Sequence, residues 1–250
     1  MKRLMVRADD LGYSKGINYG IYECVKQGVI KNIGFMVNMP DSIEGYELVK
    51  NYDICLGQHT NICVGKPVCD PTLIPSLVQE NGEFKTSKDY RNSKEDFVVL
   101  EEAILEVEAQ YQRFKQITGF EPRYFEGHAV QSANFFKALK IVADRHSLKL
   151  CDFSSQPGAM CISGQDVYMY MGCMDEDYNP FTYFKSIYKG ANTEGYHMMV
   201  CHPGYLDAVI LNTSSLTIPR TKEVEMLCSS EFKQYIQKNN IKLWTYDDIV

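Results

Sequence analysis

Near its amino terminus the chain reads Leu4-Met5-Val6-Arg7-Ala8-Asp9-Asp10-Leu11-Gly12, a short apolar run that opens into two carboxylates. Short apolar runs bounded by polar or turn residues are typical of strands buried in a parallel sheet. Such runs alternate with stretches of helical period and lie at residues 4–8, 33–37, 54–57, 123–125, 148–152, 197–201 and 241–244. Repeated strand and helix units predict an α/β fold. Seven such strands favour an irregular, seven-stranded (β/α) barrel similar to a TIM barrel over an open sheet.

The segments between these strands carry helix signals. Ser14 is a suitable amino-terminal cap for a first helix that ends at Gly28. The clearest helix has apolar residues at steps of three and four from Phe97 to Phe114 and ends at Gly119. Further helices are predicted around residues 132–145, 181–189 and 221–238.

The composition excludes several classes of protein. The 250 residues are 45% hydrophobic and 23% charged with a net charge of −6, so we expect a globular fold and no nucleic-acid partner. No stretch has the roughly 18 apolar residues of a membrane helix, and no signal peptide is recognisable. The nine cysteines contain no C-x-x-C pair and are interpreted as reduced core thiols. We therefore predict a cytoplasmic protein that does not bind membranes.

Two long stretches of the chain are irregular. They lie at residues 63–93 and 154–179, where proline, glycine and polar residues interrupt any period. Neither stretch has the composition of an interdomain linker. Residues 1–250 are therefore predicted to form a single domain.

Asp9 and Asp10 are an unfavourable pair at the point where an apolar strand opens into a loop. Two neighbouring carboxylates raise each other's pKa unless a cation compensates their charge. A metal ion bound by one carboxylate would leave the other free as a general base. A polar turn before Gly12 is an equally good interpretation of the pair taken alone.

Three of the five histidines follow directly after predicted strands. These are His59, His128 and His202, and the loops after the strands of a (β/α) barrel converge on one face. Each histidine alone is more often a core residue, but three beside a carboxylate pair predict a site. Two imidazoles and a carboxylate suit one divalent ion, Zn²⁺, Mn²⁺, Fe²⁺ or, less naturally, Mg²⁺.

A divalent ion at these residues would supply the chemistry of amide hydrolysis, because it acidifies bound water and polarises a carbonyl group. Asp9 is then the candidate base toward that water, and His202 is the candidate acid toward the departing nitrogen. An arginine could orient the base, and Arg7 and Arg220 are both available.

Several short segments, taken in register, carry a resemblance to one family. They are residues 16–21, 65–68 and 74–78 together with Ala8-Asp9-Asp10-Leu11-Gly12-Tyr13-Ser14, Met36-Val37-Asn38-Met39-Pro40, Gly57-Gln58-His59-Thr60-Asn61, Gly127-His128 and Cys201-His202-Pro203-Gly204-Tyr205. Through these segments the chain resembles, nearly end to end, the YdjC-like carbohydrate deacetylases, the family that includes chitooligosaccharide (diacetylchitobiose) deacetylases.

The resemblance implies an irregular (β/α) barrel that removes acetyl groups from N-acetylated sugars with one divalent metal ion, Mg²⁺ or Zn²⁺ before Mn²⁺ or Fe²⁺. By position, Asp10, His59 and His128 match the family's metal ligands. Asp9 matches its base, and His202 matches the histidine of its carboxy-terminal His-Pro-Gly motif.

The expected substrate is a small acetylated oligosaccharide such as diacetylchitobiose, and a homodimer is among the expected assemblies. Arg220, Tyr13 and Tyr205 are the candidates for orienting or binding this substrate. The two tyrosines are chosen because each lies within a few residues of a proposed catalytic position, and flat rings pack against sugar faces.

One segment departs from the family pattern. The family commonly has Asp-x-His-x-His-x-His around the third ligand, whereas this chain reads Glu126-Gly127-His128-Ala129-Val130-Gln131-Ser132. Val130 and Ser132 therefore stand where relatives have two histidines. Two alternatives stay open: a sugar-binding or regulatory relative with weakened catalysis, and another metal-dependent reaction, such as non-haem iron chemistry, at the same ligands.

Overall fold

The computed structural model describes residues 2–156, 158–192 and 195–249. Within these ranges one sheet contains nine strands. They are β1 (Arg3–Leu11), β2 (Asn32–Phe35), β3 (Cys55–Thr60), β4 (Phe125–Gly127), β5 (Asp152–Gln156), β6 (Ala159–Ile162), β7 (Gln165–Tyr170), β8 (Tyr196–Cys201) and β9 (Leu243–Trp244). Each of the predicted strands shares at least one residue with one of these.

The strand β1 lies near the centre of the sheet. The neighbours run in the order β4-β3-β2-β1-β8-β7-β6-β5, and β9 also pairs with β1. All pairs from β4 across to β7 are parallel, whereas β6 is antiparallel to both β5 and β7. The parallel part of the sheet confirms the predicted α/β class.

The two ends of the sheet lie beside each other. The backbone N–H of Phe125 donates to the carbonyl oxygen of Lys149 over 2.8 Å, and that of Cys151 donates to Phe125 over 3.0 Å. The segment that enters β5 therefore runs next to β4, and the sheet curls on itself. A complete TIM barrel is not confirmed, because this contact is an isolated bridge at Leu150 and a hairpin replaces one strand and helix unit.

The hairpin of β6 and β7 lies within residues 154–179, where the sequence predicts irregular structure. Ser163 and Gly164 connect the two strands with φ angles of 51° and 77°. Two consecutive residues with positive φ are typical of the type I′ turn that matches the twist of a hairpin. The prediction is wrong here because a Ser-Gly pair is a weaker hairpin signal than Asn-Gly.

Nine α-helices lie in the described ranges. They are α1 (Lys15–Lys26), α2 (Ser42–Val49), α3 (Ser87–Asn92), α4 (Leu100–Thr118), α5 (Ala133–His146), α6 (Pro180–Gly190), α7 (Ala208–Thr213), α8 (Ile218–Cys228) and α9 (Ser230–Lys238). The predicted helix at 221–238 is in fact two helices, because Ser229 ends α8 and caps α9 by accepting the N–H of Phe232 over 3.1 Å. We find no helix in these ranges that is long and apolar enough to cross a membrane.

Alternation along β1 decides which of its side chains face the interior of the curled sheet. Leu4 packs in the cluster that includes the buried side of α1, whereas Met5 belongs to a separate buried cluster. Arg7 and Asp9 follow Met5 at every second position and so lie on its side of the sheet. Arg7 is anchored there, since its Nη1 donates to the hydroxyl of Tyr246 over 2.9 Å.

Candidate active site

The two carboxylates at the end of β1 face one cavity. Both Asp9 and Asp10 line it, although neighbouring side chains of a regular strand point to opposite faces. The pairing of β1 with β2 changes register between Ala8 and Leu11, and Asp10 has a φ of 80°. This irregularity turns Asp10 toward the side of Asp9.

Asp10, His59 and His128, which are far apart in the sequence, meet beside this cavity. Oδ1 of Asp10 lies 3.3 Å from Nε2 of His59 and 3.2 Å from Nδ1 of His128. The two histidine nitrogens are 2.8 Å apart. One ligand atom from each residue lies within 4.8 Å of the other two, so the three side chains could hold one metal ion.

The charge and the unsatisfied atoms of this cluster suit a cation. Oδ1 of Asp10 is buried and faces the two imidazole nitrogens without a well-formed hydrogen bond from any described residue, which is unfavourable for a carboxylate. The cluster contains three carboxylates, of Asp9, Asp10 and Glu126, but only two guanidinium groups pair with them. With neutral imidazoles, the remaining negative charge would be compensated by a divalent ion.

Arg7 joins Asp9 to Glu126. Its Nη2 lies 2.6 Å from Oδ2 of Asp9 and 3.5 Å from Oε2 of Glu126. Oδ1 of Asp9 has no hydrogen-bond partner among the described residues. One oxygen of Asp9 is thus held by an arginine while the other is free of protein partners, which suits a base that must accept a proton.

Glu126 is a site residue that the sequence analysis does not single out. Its Oε1 contacts Nδ1 of His59, and the two residues are register partners across β3 and β4. A carboxylate on the second nitrogen of a ligating histidine fixes the orientation of the ring. The signal in the sequence is position, since Glu126 lies two residues before His128 at the end of a strand.

Gly34 of β2 gives these side chains their space. A Cβ atom at this position would lie 2.7 Å from Oδ1 of Asp9 and 3.2 Å from Cβ of His59. Both distances are shorter than ordinary van der Waals contacts, and both neighbours are buried. The strand between β1 and β3 can therefore carry no side chain here without displacing the carboxylate of Asp9.

Gly34→Ala is expected to lower kcat by about a hundredfold, because a displacement of a catalytic group by about 1 Å has effects of that size. Turnover and thermal unfolding would be measured together. Gly190→Ala is the matched control, since a Cβ there meets nothing within 4 Å. Wild-type turnover in a folded Gly34→Ala variant would contradict the conclusion that Gly34 leaves the space that the carboxylate of Asp9 needs.

Arg220 contacts Asp10 and not Asp9. Its Nη2 donates to Oδ2 of Asp10 over 2.8 Å, and its Nη1 donates to the carbonyl oxygen of His202 over 3.4 Å. Burial alone would raise the pKa of Asp10, but Arg220, His128 and His59 together outweigh burial and hold this pKa well below its usual range. The arginine that orients the candidate base is therefore Arg7, whereas Arg220 orients the neighbouring carboxylate.

His202 follows β8 and lines the same cavity. Its backbone N–H donates to Oε2 of Glu223 over 2.6 Å, and its ring Nδ1 lies 3.7 Å from Sγ of Cys173. Burial lowers the pKa of His202 to about 4. The other oxygen of Glu223 accepts the hydroxyl of Tyr178 over 2.7 Å. The backbone of His202 is thus held by a buried network that reaches back to α8.

The two predicted tyrosines differ in position. Tyr13 is buried and lines the cavity. Its ring lies edge-on to that of His128, with the ring centroids 6.3 Å apart. Its hydroxyl donates to Oγ1 of Thr213 over 3.0 Å. Tyr205 is 43% exposed and does not belong to the lining of this cavity. The backbone N–H of Tyr205 donates to the carbonyl oxygen of Gly16 over 2.9 Å.

The cavity has a volume of about 360 Å³. Sites for small molecules commonly start near 300 Å³. Its lining includes the acidic and imidazole groups described above and apolar side chains, among them Met169, Met171 and Leu216. Arg91 and Ser87 of α3 contribute further polar groups.

The family of YdjC-like proteins matches residues 3–238. The chain belongs to this family. It is 29% identical over 258 residues to carbohydrate deacetylase 2 of Listeria innocua, an alignment that covers 99% of this chain and 98% of the relative. It is 28% identical over 262 residues to a chitooligosaccharide deacetylase of Yersinia enterocolitica, with 99% of each chain covered. These relatives confirm the predicted resemblance and the predicted enzyme class, a hydrolase of the deacetylase type.

Solved structures agree on the fold. A protein of Enterococcus faecalis described as a candidate for cellobiose-phosphate cleavage superposes with a TM-score of 0.85 at 24% identity, covering 100% of this chain and 99% of the other. The T48 deacetylase superposes with a TM-score of 0.51 at 12% identity, covering 98% and 89% of the two chains. At these identities the likeness concerns the fold alone.

The two residues that stand where relatives have histidines have structural roles. Val130 is buried in the apolar cluster that contains Phe135. The Oγ of Ser132 caps α5 by accepting the N–H of Phe135 over 3.0 Å, and it donates to Asp96. Val130 and Ser132 do not line the cavity. Their difference from histidine therefore leaves the cluster around Asp10 intact.

Proposed function

We propose that this protein is a metal-dependent hydrolase that removes an N-acetyl group from a small amino-sugar oligosaccharide such as diacetylchitobiose. The observation that carries the proposal is the meeting of Asp10, His59 and His128 beside Asp9 at the end of parallel strands. The relatives named carbohydrate deacetylase and chitooligosaccharide deacetylase support the substrate class.

Asp10, His59 and His128 would hold the ion, with Mg²⁺ or Zn²⁺ expected before Mn²⁺ or Fe²⁺. Two imidazole nitrogens and one carboxylate oxygen leave open positions for water and substrate, as catalytic sites require. When bound, the ion would lower the pKa of a water molecule and polarise the carbonyl of the acetyl group. Glu126 would keep the ring of His59 in the orientation that ligation needs.

Asp9 and His202 would carry out the proton transfers of the reaction. Arg7 fixes Oδ2 of Asp9, so the unpartnered Oδ1 is the atom that takes the proton of the attacking water. The water oxygen first adds to the acetyl carbonyl carbon, and the C–N bond then breaks as the tetrahedral carbon releases the nitrogen, which takes up a proton. The products are acetate and the free amine. Burial lowers the pKa of His202 to about 4, so its ring is neutral at neutral pH; it would take up a proton during the reaction and pass it to the departing nitrogen.

The metal-loaded protein is expected to release acetate from diacetylchitobiose, with one amine formed for each acetate. Enzymatic assay of acetate and of free amine across a panel of N-acetylated sugars would measure this. The same protein stripped by a chelator serves as the control. Sugar binding without acetate release, with the metal shown to be bound, would instead support the sugar-binding or regulatory alternative.

Several finer expectations stay predictions. They are the cytoplasmic location, the single-domain organisation of residues 1–250 and the homodimer. Iron content with oxygen-dependent turnover is the result that would favour another metal-dependent reaction at these ligands.

A further inference from the structure

The imidazole of His202 has a thiol as its side-chain partner. Sγ of Cys173 lies 3.7 Å from Nδ1, within the reach of a hydrogen bond to sulfur. In the described part of the chain no other side chain forms a hydrogen bond with this ring. The contacts of Glu223 and Arg220 with His202 go to its backbone N–H and carbonyl, so they hold the residue but do not orient its ring.

The position of Cys173 is itself fixed. It follows β7 in the segment Met171-Gly172-Cys173-Met174, and the N–H of Asp175 donates to the carbonyl oxygen of Gly172 over 3.0 Å. A Cβ atom on Gly172 would lie 2.8 Å from the ring of Tyr183, so the backbone approaches α6 closely. Cys173 is 2% exposed and also lines the cavity. A rigid turn therefore presents its sulfur to His202.

We propose that Cys173 is a positioning residue that sets the orientation of the His202 ring in the deacetylation reaction. This inference rests on the proposed role of His202 as the acid. A thiol can donate its proton to Nδ1 of the neutral ring and can accept the Nδ1 proton of the charged ring, whereas a carboxylate can only accept. Cys173 can thus hold the ring in both protonation states of one proton-transfer cycle.

Two further facts agree with this role. Burial raises the pKa of the Cys173 thiol to about 12, so the sulfur keeps its proton at neutral pH. In its neutral form, the ring then accepts the thiol proton at Nδ1 and carries its own proton on Nε2. Among the described residues, no carboxylate forms a hydrogen bond or ion pair with the ring to stabilise its charged form, in contrast to His59, which contacts Glu126.

Turnover of Cys173 variants tests the proposal. Cys173→Ala is expected to lower kcat about tenfold with KM and metal content unchanged, the usual size of a loss of orienting contact. Cys173→Ser, whose hydroxyl both donates and accepts, is expected to restore kcat to within about threefold of wild type. Cys201→Ala is the control, because Cys201 is a fully buried thiol next to His202 in sequence that does not touch its ring.

The same substitutions in a His202→Ala background separate positioning from packing. If Cys173 acts through the ring, Cys173→Ala causes no further loss in that background. An equal loss in both backgrounds, or wild-type kcat in Cys173→Ala, would overturn the proposal.

A spectroscopic readout does not depend on activity. Protein labelled with ¹⁵N at its five histidines gives ring nitrogen signals, and the His202→Ala spectrum assigns those of His202. The Nδ1 signal is expected to shift in Cys173→Ala and to stay near its original position in Cys173→Ser. An unchanged Nδ1 signal in Cys173→Ala would refute the positioning role. If the wild type releases no acetate, the proposed function fails while this measurement still decides the contact.

Discussion

Asp9→Asn is expected to keep the metal and to lose about a thousandfold in kcat, within the range that removal of a general base costs. Asparagine has nearly the shape of aspartate, and its carbonyl oxygen can still accept the hydrogen bond that Arg7 now donates to Oδ2. The amide cannot take a proton from water. Because Asp9 is not among the three proposed ligands, the loss should be confined to turnover.

Acetate release and metal content measured on the same preparation would check this expectation. Asp53→Asn is the matched control, because Asp53 is an exposed carboxylate that pairs only with Lys31 in the described residues. If Asp9→Asn kept more than about a tenth of the wild-type kcat, Asp9 could not be the base. Loss of the metal in this variant would place Asp9 among the ligands instead.

The sequence predicts the site because the chemistry lies at strand ends. A run of buried apolar residues shows where β1 lies, and the carboxylates that follow it mark the edge at which the loops gather. The same reasoning placed His59, His128 and His202 at that edge, and the structure brings all three to one cavity. Position along a parallel sheet is thus sufficient to select these residues without knowledge of their distances.

Pairwise contacts within the site could not be predicted in the same way. Both arginines are near the carboxylates in the fold, but only the alternation of β1 and the φ of Asp10 decide that Arg7 meets Asp9 and Arg220 meets Asp10. Tyr205, in contrast, is a residue that the sequence analysis selects for the site but that the structure places outside the cavity. It is three residues from His202, yet it is 43% exposed and does not line the cavity, so closeness in sequence to a site residue did not place it in the site.

The role of Glu126 depends on strand register, which the sequence does not reveal directly. Its carboxylate reaches His59 only because the two residues are opposite each other across β3 and β4. A shift of one residue would turn Glu126 to the other face of the sheet. The hairpin of β6 and β7 is hidden for a related reason, because its short strands show no clear alternation and its turn lacks a strong signal.

His59→Ala and His128→Ala are each expected to weaken metal binding by more than about a hundredfold and to leave the protein without stoichiometric metal. Each substitution removes one of three proposed ligands, and loss of a ligand costs more than loss of a group that merely orients one. Metal analysis after dialysis against a weak chelator would measure this. His146→Ala is the matched control, since that ring stacks on Tyr111 and pairs with Glu108 outside the cavity.

A third variant makes the comparison quantitative. Glu126→Gln keeps all three proposed ligands and changes the group that contacts the far nitrogen of His59 and Arg7, so its metal affinity should fall by about ten- to a hundredfold, less than that of His59→Ala. This order of effects follows from the geometry of one ion held by Asp10, His59 and His128. Equal metal content in wild type, His59→Ala and His128→Ala would show that these side chains do not share an ion, and the case for a metal-dependent deacetylase at this cavity would fail.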